Sequence, residues 1–173
     1  YIIRSYPDHL NGQHEDTDEF NRFIYTEDSG KKFQKQGGYI VGDKSEYLYR
    51  ANSIYMPKAD FLYRSIINDG KDPGKLSYYD FGAGSGYFLH ALSTFGLKNL
   101  EGSDVSAVQV KYGNKINKQN LLKTHNQERT IAILKNIKAD VLSLLGVLEH
   151  LKEPRKVLSA ISTNKNIKFV DIS

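Results

Sequence analysis

Apolar and polar positions follow no single period along this chain, and the places where one period replaces another mark its elements. Up to about residue 50 turn-forming residues dominate: Asp8, Asn11-Gly12, Asp28-Ser-Gly30 and Gly37-Gly38 punctuate short aromatic clusters such as Phe20 to Tyr25. That pattern predicts an N-terminal extension of irregular or short-helical structure. From Pro57 to Asn68 apolar residues recur at three-to-four spacing through Phe61, Leu62 and Ile66, with Pro57 suited to a first helical position and Asp69-Gly70 to a stop. A helix is predicted there, followed by Lys71-Asp-Pro-Gly-Lys75 as a linker.

Leu76 to Phe81 then predicts a first strand, Gly82-Ala-Gly-Ser-Gly86 a tight turn, and Tyr87 to Phe95 a helix whose apolar stripe (Phe88, Leu89, Leu92, Phe95) stops at Gly96. Leu100 to Val105 predicts a second strand. Ser106 is placed to cap a helix running through Val108, Val110 and Tyr112 to about Ile116. Strand, helix, strand, helix in alternation implies an α/β fold with a mostly parallel sheet flanked by helices.

Beyond Asn117 the pattern is ambiguous, because Leu121-Leu122 and Thr130-Ile-Ala-Ile-Leu134 each suit a strand or a buried helix segment. A strand is expected at 130–134. Ala139 to Leu145 predicts a strand buried on both faces, Pro154 to Ile161 a helix with Val157, Leu158 and Ile161 on one side, and Ile167 to Ile172 a further strand. The domain organisation expected is an N-terminal extension or lid over 1–56 and a core over 57–173.

Composition narrows the class. A length of 173 residues suits one domain, and 39% hydrophobic with 25% charged residues is ordinary globular usage. No apolar run approaches the ~20 residues that span a bilayer, and the start lacks a basic segment followed by an apolar one, so a soluble, cytoplasmic protein with no membrane partner is expected. With no Cys, disulfides, thiolate metal sites and cysteine nucleophiles are excluded. The net charge of +4 is spread along the chain, which disfavours nucleic acid as a partner and suits an anionic small substrate. The acidic run His14 to Glu19 has no ligand spacing that selects a metal, and none is expected.

The turn at 82–86 carries the chemistry. A glycine turn between strand and helix lets a ligand approach the backbone, and the helix start points N–H groups at it. In the dinucleotide fingerprint the third glycine lies five positions after the first; here Gly82, Gly84 and Gly86 give G-x-G-x-G, which argues against a nicotinamide or flavin cofactor.

Asp80 to Gly86 resembles the first motif, D/E-x-G-x-G-x-G, of the class I S-adenosylmethionine-dependent methyltransferases. Glu101-Gly-Ser-Asp-Val-Ser106 is similar to that family's second-strand segment, and Ala139 to Pro154, with Val147-Leu-Glu-His-Leu151, to its fourth-strand segment. The resemblance implies a Rossmann-like fold and S-adenosylmethionine as cofactor. Gly82, Ala83, Gly84 and Gly86 would line its methionine part, with Asp80 steadying the loop and the nearby amino group. Asp104, lying 22 positions past Gly82, would accept bonds from the ribose hydroxyls, and Val105 and Gly146 would complete the wall.

Methyl transfer is an in-line displacement in which alignment of donor and acceptor matters most. His150 is the one catalytic candidate, as a base past a strand end; a loop histidine satisfying backbone groups explains it equally. Glu149 is expected to orient the loop. Tyr47, Tyr49 and Arg50 are lid candidates, with Arg50 able to meet the cofactor's carboxylate in a bidentate pair, and a packed helix is the competing reading. The acceptor expected is a small molecule such as a sugar or sugar nucleotide. A nucleotide-cofactor oxidoreductase and a non-catalytic S-adenosylmethionine-binding module are the alternatives, and a homo-oligomer is open. The family's sheet has seven strands, whereas this sequence stops after the fifth, so a fragment lacking the C-terminal part of the domain is expected.

Overall fold

A computed structural model describes residues 43–173, and the His14 to Glu19 run and the extension up to residue 42 lie outside the described residues. The first element is a helix in three parts: α1 (Lys44–Arg50), a π-helical turn (Ala51–Tyr55) and α2 (Met56–Asn68). Asp43 caps it, its carboxylate accepting from the N–H groups of Ser45 and Glu46 at 2.7 and 3.0 Å. The helix therefore begins well before Pro57. Pro57 has no N–H to give, and the wide turn before it, where Met56 N–H reaches the carbonyl of Ala51, lets the helix pass through without a break.

Five strands follow, β1 (Tyr78–Phe81), β2 (Leu100–Asp104), β3 (Leu122–Thr124), β4 (Val141–Leu144) and β5 (Phe169–Ile172), all parallel in the order β3-β2-β1-β4-β5. Between them lie α3 (Tyr87–Thr94), α4 (Ala107–Asn117), α5 (Thr130–Asn136) and α6 (Pro154–Ser162). The chain winds outward from β1 to β3, returns to β4 beside β1, and winds outward again. The two directions part between β1 and β4, where the carboxyl ends leave a crevice.

Side chains of β4 serve both faces. Val141 joins the core under α2 and α3 with Ala59, Leu62, Ile66, Phe88 and Leu92, while Leu142 and Leu144 join the opposite core with Leu134, Val157 and Ile161. That is why β4 reads as a continuous apolar run.

The strand expected at 130–134 is helix α5. Thr130 and Leu134, four residues apart, are its buried positions, and the Thr130 hydroxyl closes its first turn on the carbonyl of Gln127 at 2.7 Å. The β-branched pair Ile131 and Ile133 mimics a strand, but tertiary packing selects the helical period. The third strand is instead β3, three residues long with Leu122 as its one buried side chain, too short to register as a pattern. No helix among the described residues is long and apolar enough to cross a membrane.

Candidate functional site

Three consecutive alternate glycines turn the chain from β1 into α3. Gly82, Gly84 and Gly86 have φ of 74°, 54° and 76°, the left-handed region that other residues avoid. At Gly82 the requirement is doubled, because a Cβ there would fall inside the side chain of Val147 from the loop after β4. The loop is pinned to β2: Gly82 and Ala83 N–H groups both donate to the carbonyl of Ser103, at 2.8 and 2.9 Å.

Asp104, at the end of β2, binds the same loop. Its two carboxylate oxygens accept from the N–H of Gly84 and of Ser106, each at 2.8 Å. Each oxygen keeps a lone pair for a further donor. Burial raises the pKa of this carboxyl above its ordinary value, and the Ser106 and Gly84 N–H groups oppose that rise.

From below, α1 and α4 brace the turn. The Tyr47 hydroxyl, fully buried, donates toward the carbonyls of Gly86 and Ser85 at 3.1 and 3.3 Å and accepts from the Asn117 side chain at 2.9 Å. Gly113 in α4 lies so close to the Ser85 carbonyl that any Cβ would collide with it. Tyr87 stacks between Tyr47 and Tyr55, with ring centroids 4.7 and 5.5 Å away, and the Arg50 guanidinium lies 5.5 Å from the Tyr87 centroid.

Above this floor is a cavity of about 360 Å³, within the range of small-ligand sites. Arg50, Gly82, Ala83, Gly84, Asp104, Val105, Gly146 and His150 all line it. Asp80 and Gly86 do not: Asp80 lies a layer below on β1, 3% exposed, and Gly86 caps α3 against Leu122. Of the lid candidates, Arg50 faces the cavity, Tyr47 lies under the loop, and Tyr49 points away at 75% exposure. His150 ends a short 3-10 turn (Leu148–His150) and is exposed at the cavity rim.

Further lining residues escaped the sequence pattern, among them Tyr55, Tyr87, Gln109, His125, Gln127 and Thr130. The last three follow β3 and were hidden by the strand expected at 130–134. His125 packs on Phe81 with ring centroids 4.7 Å apart, and burial brings its imidazole down to about 4, so it stays neutral near pH 7. Gln109 lies beneath Gly84 and accepts from the Ser85 hydroxyl at 3.3 Å.

Asp80 is a buried carboxyl with one hydroxyl donor. Its Oδ1 accepts from Ser143 Oγ at 2.8 Å. Burial pushes it up to about 7, the Ser143 hydroxyl opposes, and the charges of Asp104 and Asp171 push further upward.

A doubly wound parallel sheet with a glycine turn after β1, an acidic residue ending β2 and a cavity at the strand switch defines a Rossmann-like domain. A family model described as a methyltransferase domain matches residues 49–166, and the chain belongs to that family.

Solved structures share the fold. The plantazolicin methyltransferase BpumL in complex with SAH superposes with a TM-score of 0.59 at 17% identity, over 88% of this chain and 52% of that one. Its complex with a pentazolic desmethylPZN analog and SAH gives 0.57 at 17% identity, over 83% and 51%. CalS10, an amino pentose methyltransferase from Micromonospora echinaspora solved with SAM, gives 0.53 at 16% identity, over 72% and 52%. The chain thus spans about half the length of these proteins. No curated protein sequence matches it.

Proposed function

We propose that the cavity binds S-adenosylmethionine and that the protein transfers its methyl group to a small-molecule acceptor by in-line displacement. The observation that carries this reading is Asp104: a carboxylate at the cavity wall, fixed by the Gly84 and Ser106 N–H groups, with one lone pair per oxygen directed to no other donor among the described residues. Two vicinal hydroxyls suit such a pair. When bound, the sulfonium cofactor supplies an activated methyl group and its own leaving group.

The residues present fit that ligand. Gly82 and Gly84, bare of Cβ, let a chain of atoms pass against the turn. Arg50 offers a guanidinium fork to a carboxylate, and the Asp80 carboxyl beneath the turn suits an ammonium group. Val105 gives an apolar wall, with His125 and Gln127 as hydrogen-bonding groups for a purine edge. Tyr55 and Tyr87 present aromatic faces that favour a cation and exclude water. At the rim, His150 is the group able to take a proton from an acceptor hydroxyl.

The acceptor class to test first is a sugar or sugar nucleotide. Support comes from the fold shared with an amino pentose methyltransferase and from the basic balance of the chain, which suits an anionic acceptor. A thermal-shift comparison checks the donor: S-adenosylhomocysteine at a hundredfold excess over its Kd stabilises by about 2.7 kcal/mol, and NAD at the same concentration does nothing. Stabilisation by NAD alone sinks the reading.

A further inference from the structure

Asp80, Ser143 and Asp171 stand in one row across the sheet, because β1 pairs Asp80 with Ser143 and β5 pairs Asp171 with the same Ser143. Paired residues of a parallel ladder project from one face. Here it is the face under α2, since Tyr78, Val141 and Phe169, two positions earlier on the three strands, pack into the α2–α3 core.

Donors in this row are scarce. Ser143 has a single hydroxyl hydrogen, directed at Asp80 Oδ1 at 2.8 Å, and Asp171 Oδ2 is buried without a hydrogen-bond partner among the described residues. The groups facing the row from neighbouring elements are Asp104 from β2, a third carboxylate, and Tyr55 and Lys58 from the helix. Lys58 lies toward Asp171, its ammonium bonded to the Ser173 hydroxyl at 2.8 Å. One buried and one half-buried carboxyl with one hydroxyl between them and a cation at one end only are over-supplied with negative charge.

We propose that Asp80, Ser143 and Asp171 form a coupled carboxyl row that holds one proton in the ligand-free protein and releases it when an ammonium group docks beside Asp80. The release half rests on the reading that the cavity takes S-adenosylmethionine. The balance is simple: the carboxyl O–H of Asp80 breaks, the proton passes to buffer, and the carboxylate left behind is neutralised by the ligand's ammonium. The upward displacement of Asp80 to about 7 by burial, and of Asp171 by burial against the pull of Lys58, agrees with such sharing. Ser143 and Asp171 are thereby positioning residues, setting the charge on Asp80 without touching the ligand.

Side-chain carboxyl NMR across pH on the full chain without ligand tests the row. An Asp80 midpoint near 7 is expected, lowered in Asp171→Asn, raised in Ser143→Ala, with the Asp80 and Asp171 signals of the unmutated protein following common steps. A midpoint in the ordinary carboxylate range, or one indifferent to Asp171→Asn without common steps in the unmutated protein, overturns the row. Calorimetry of S-adenosylhomocysteine at pH 7 in phosphate and in Tris then counts protons: about half a proton is released per ligand bound, as a group titrating near 7 requires. Binding that leaves the Asp80 midpoint in place overturns the release. Failure of S-adenosylhomocysteine to bind overturns the donor reading and the release with it, while the row stands or falls on the ligand-free titration.

Discussion

Asp80 and Asp140 lie at opposite ends of the same sheet and meet opposite environments. Asp140 precedes β4 at the amino end, where its carboxylate accepts from Lys168 at 2.6 Å and from the N–H and hydroxyl of Ser77 at 2.9 and 2.8 Å. The Lys168 bond, then the Ser77 N–H, brings it down to about 2. Asp80 has one hydroxyl donor and two carboxylates for company, and rises to about 7. The amino end uses a carboxylate to tie the starts of β1, β4 and β5 together. The carboxyl end leaves Asp80 short of donors, which costs stability and keeps it ready for a ligand.

The largest effect that can break this contrast is at the other ligand-side acid. Asp104→Ala is expected to weaken S-adenosylhomocysteine binding by about 3 kcal/mol, or two orders of magnitude, since hydrogen bonds to a charged group are lost and the Gly84 N–H is left unpaired. Calorimetric affinity within threefold of the unmutated protein would remove Asp104 from the site.

Next in size is the stability of Asp80→Asn. The folded carboxyl titrates near 7, above the ordinary 3.8, so its favourable contribution is complete below pH 3.8 and is lost as pH rises to about 7. Replacing it is expected to raise the melting temperature of the ligand-free chain at pH 8, by roughly 1–3 kcal/mol of stability, with no gain at pH 4. A loss at pH 8 would mean the carboxylate is compensated after all.

Smallest is Asp140→Asn, with the opposite sign. A depressed carboxyl contributes above pH 3.8 and loses that contribution as pH falls toward 2. The pair with Lys168 is partly solvent-exposed, so screening limits the loss at pH 7 to about 0.5–1 kcal/mol by thermal or urea unfolding, and S-adenosylhomocysteine affinity stays unchanged. A tenfold change in affinity would erase the division between the two ends.

The first half of the sheet was legible because its signals are local. A strand, a turn that demands left-handed glycines and a helix with an apolar stripe follow one another without interruption from Tyr78 to Thr94, and Ser106 caps α4 where the sequence places a cap. β3 was not legible: one buried residue in three carries no period, and Ile131 and Ile133 supplied a false one nearby. That error concealed His125, Gln127 and Thr130 at the cavity wall. Tyr47, expected as a lid residue, and Gly113 were misplaced or missed for another reason. Their roles beneath the turn depend on residues far away in sequence, and nothing in the neighbourhood of a lone Tyr or a mid-helix Gly announces such a contact.

The wide turn at Ala51–Tyr55 decides which side chains of the long helix share the cavity. Its larger circumference holds one residue more than an α-helical turn, so Arg50 and Tyr55, which a regular α-helix would set well apart around the axis, face the same cavity. Tyr47 meanwhile keeps its station under the glycine loop. Relaxation of the turn to regular winding at unchanged length would rotate everything before it by about 100° relative to α2, whereas removing one residue between 51 and 55 would restore a regular helix with Tyr47 and Arg50 at nearly the same angle. A one-residue deletion in this stretch should therefore be tolerated far better than a one-residue insertion.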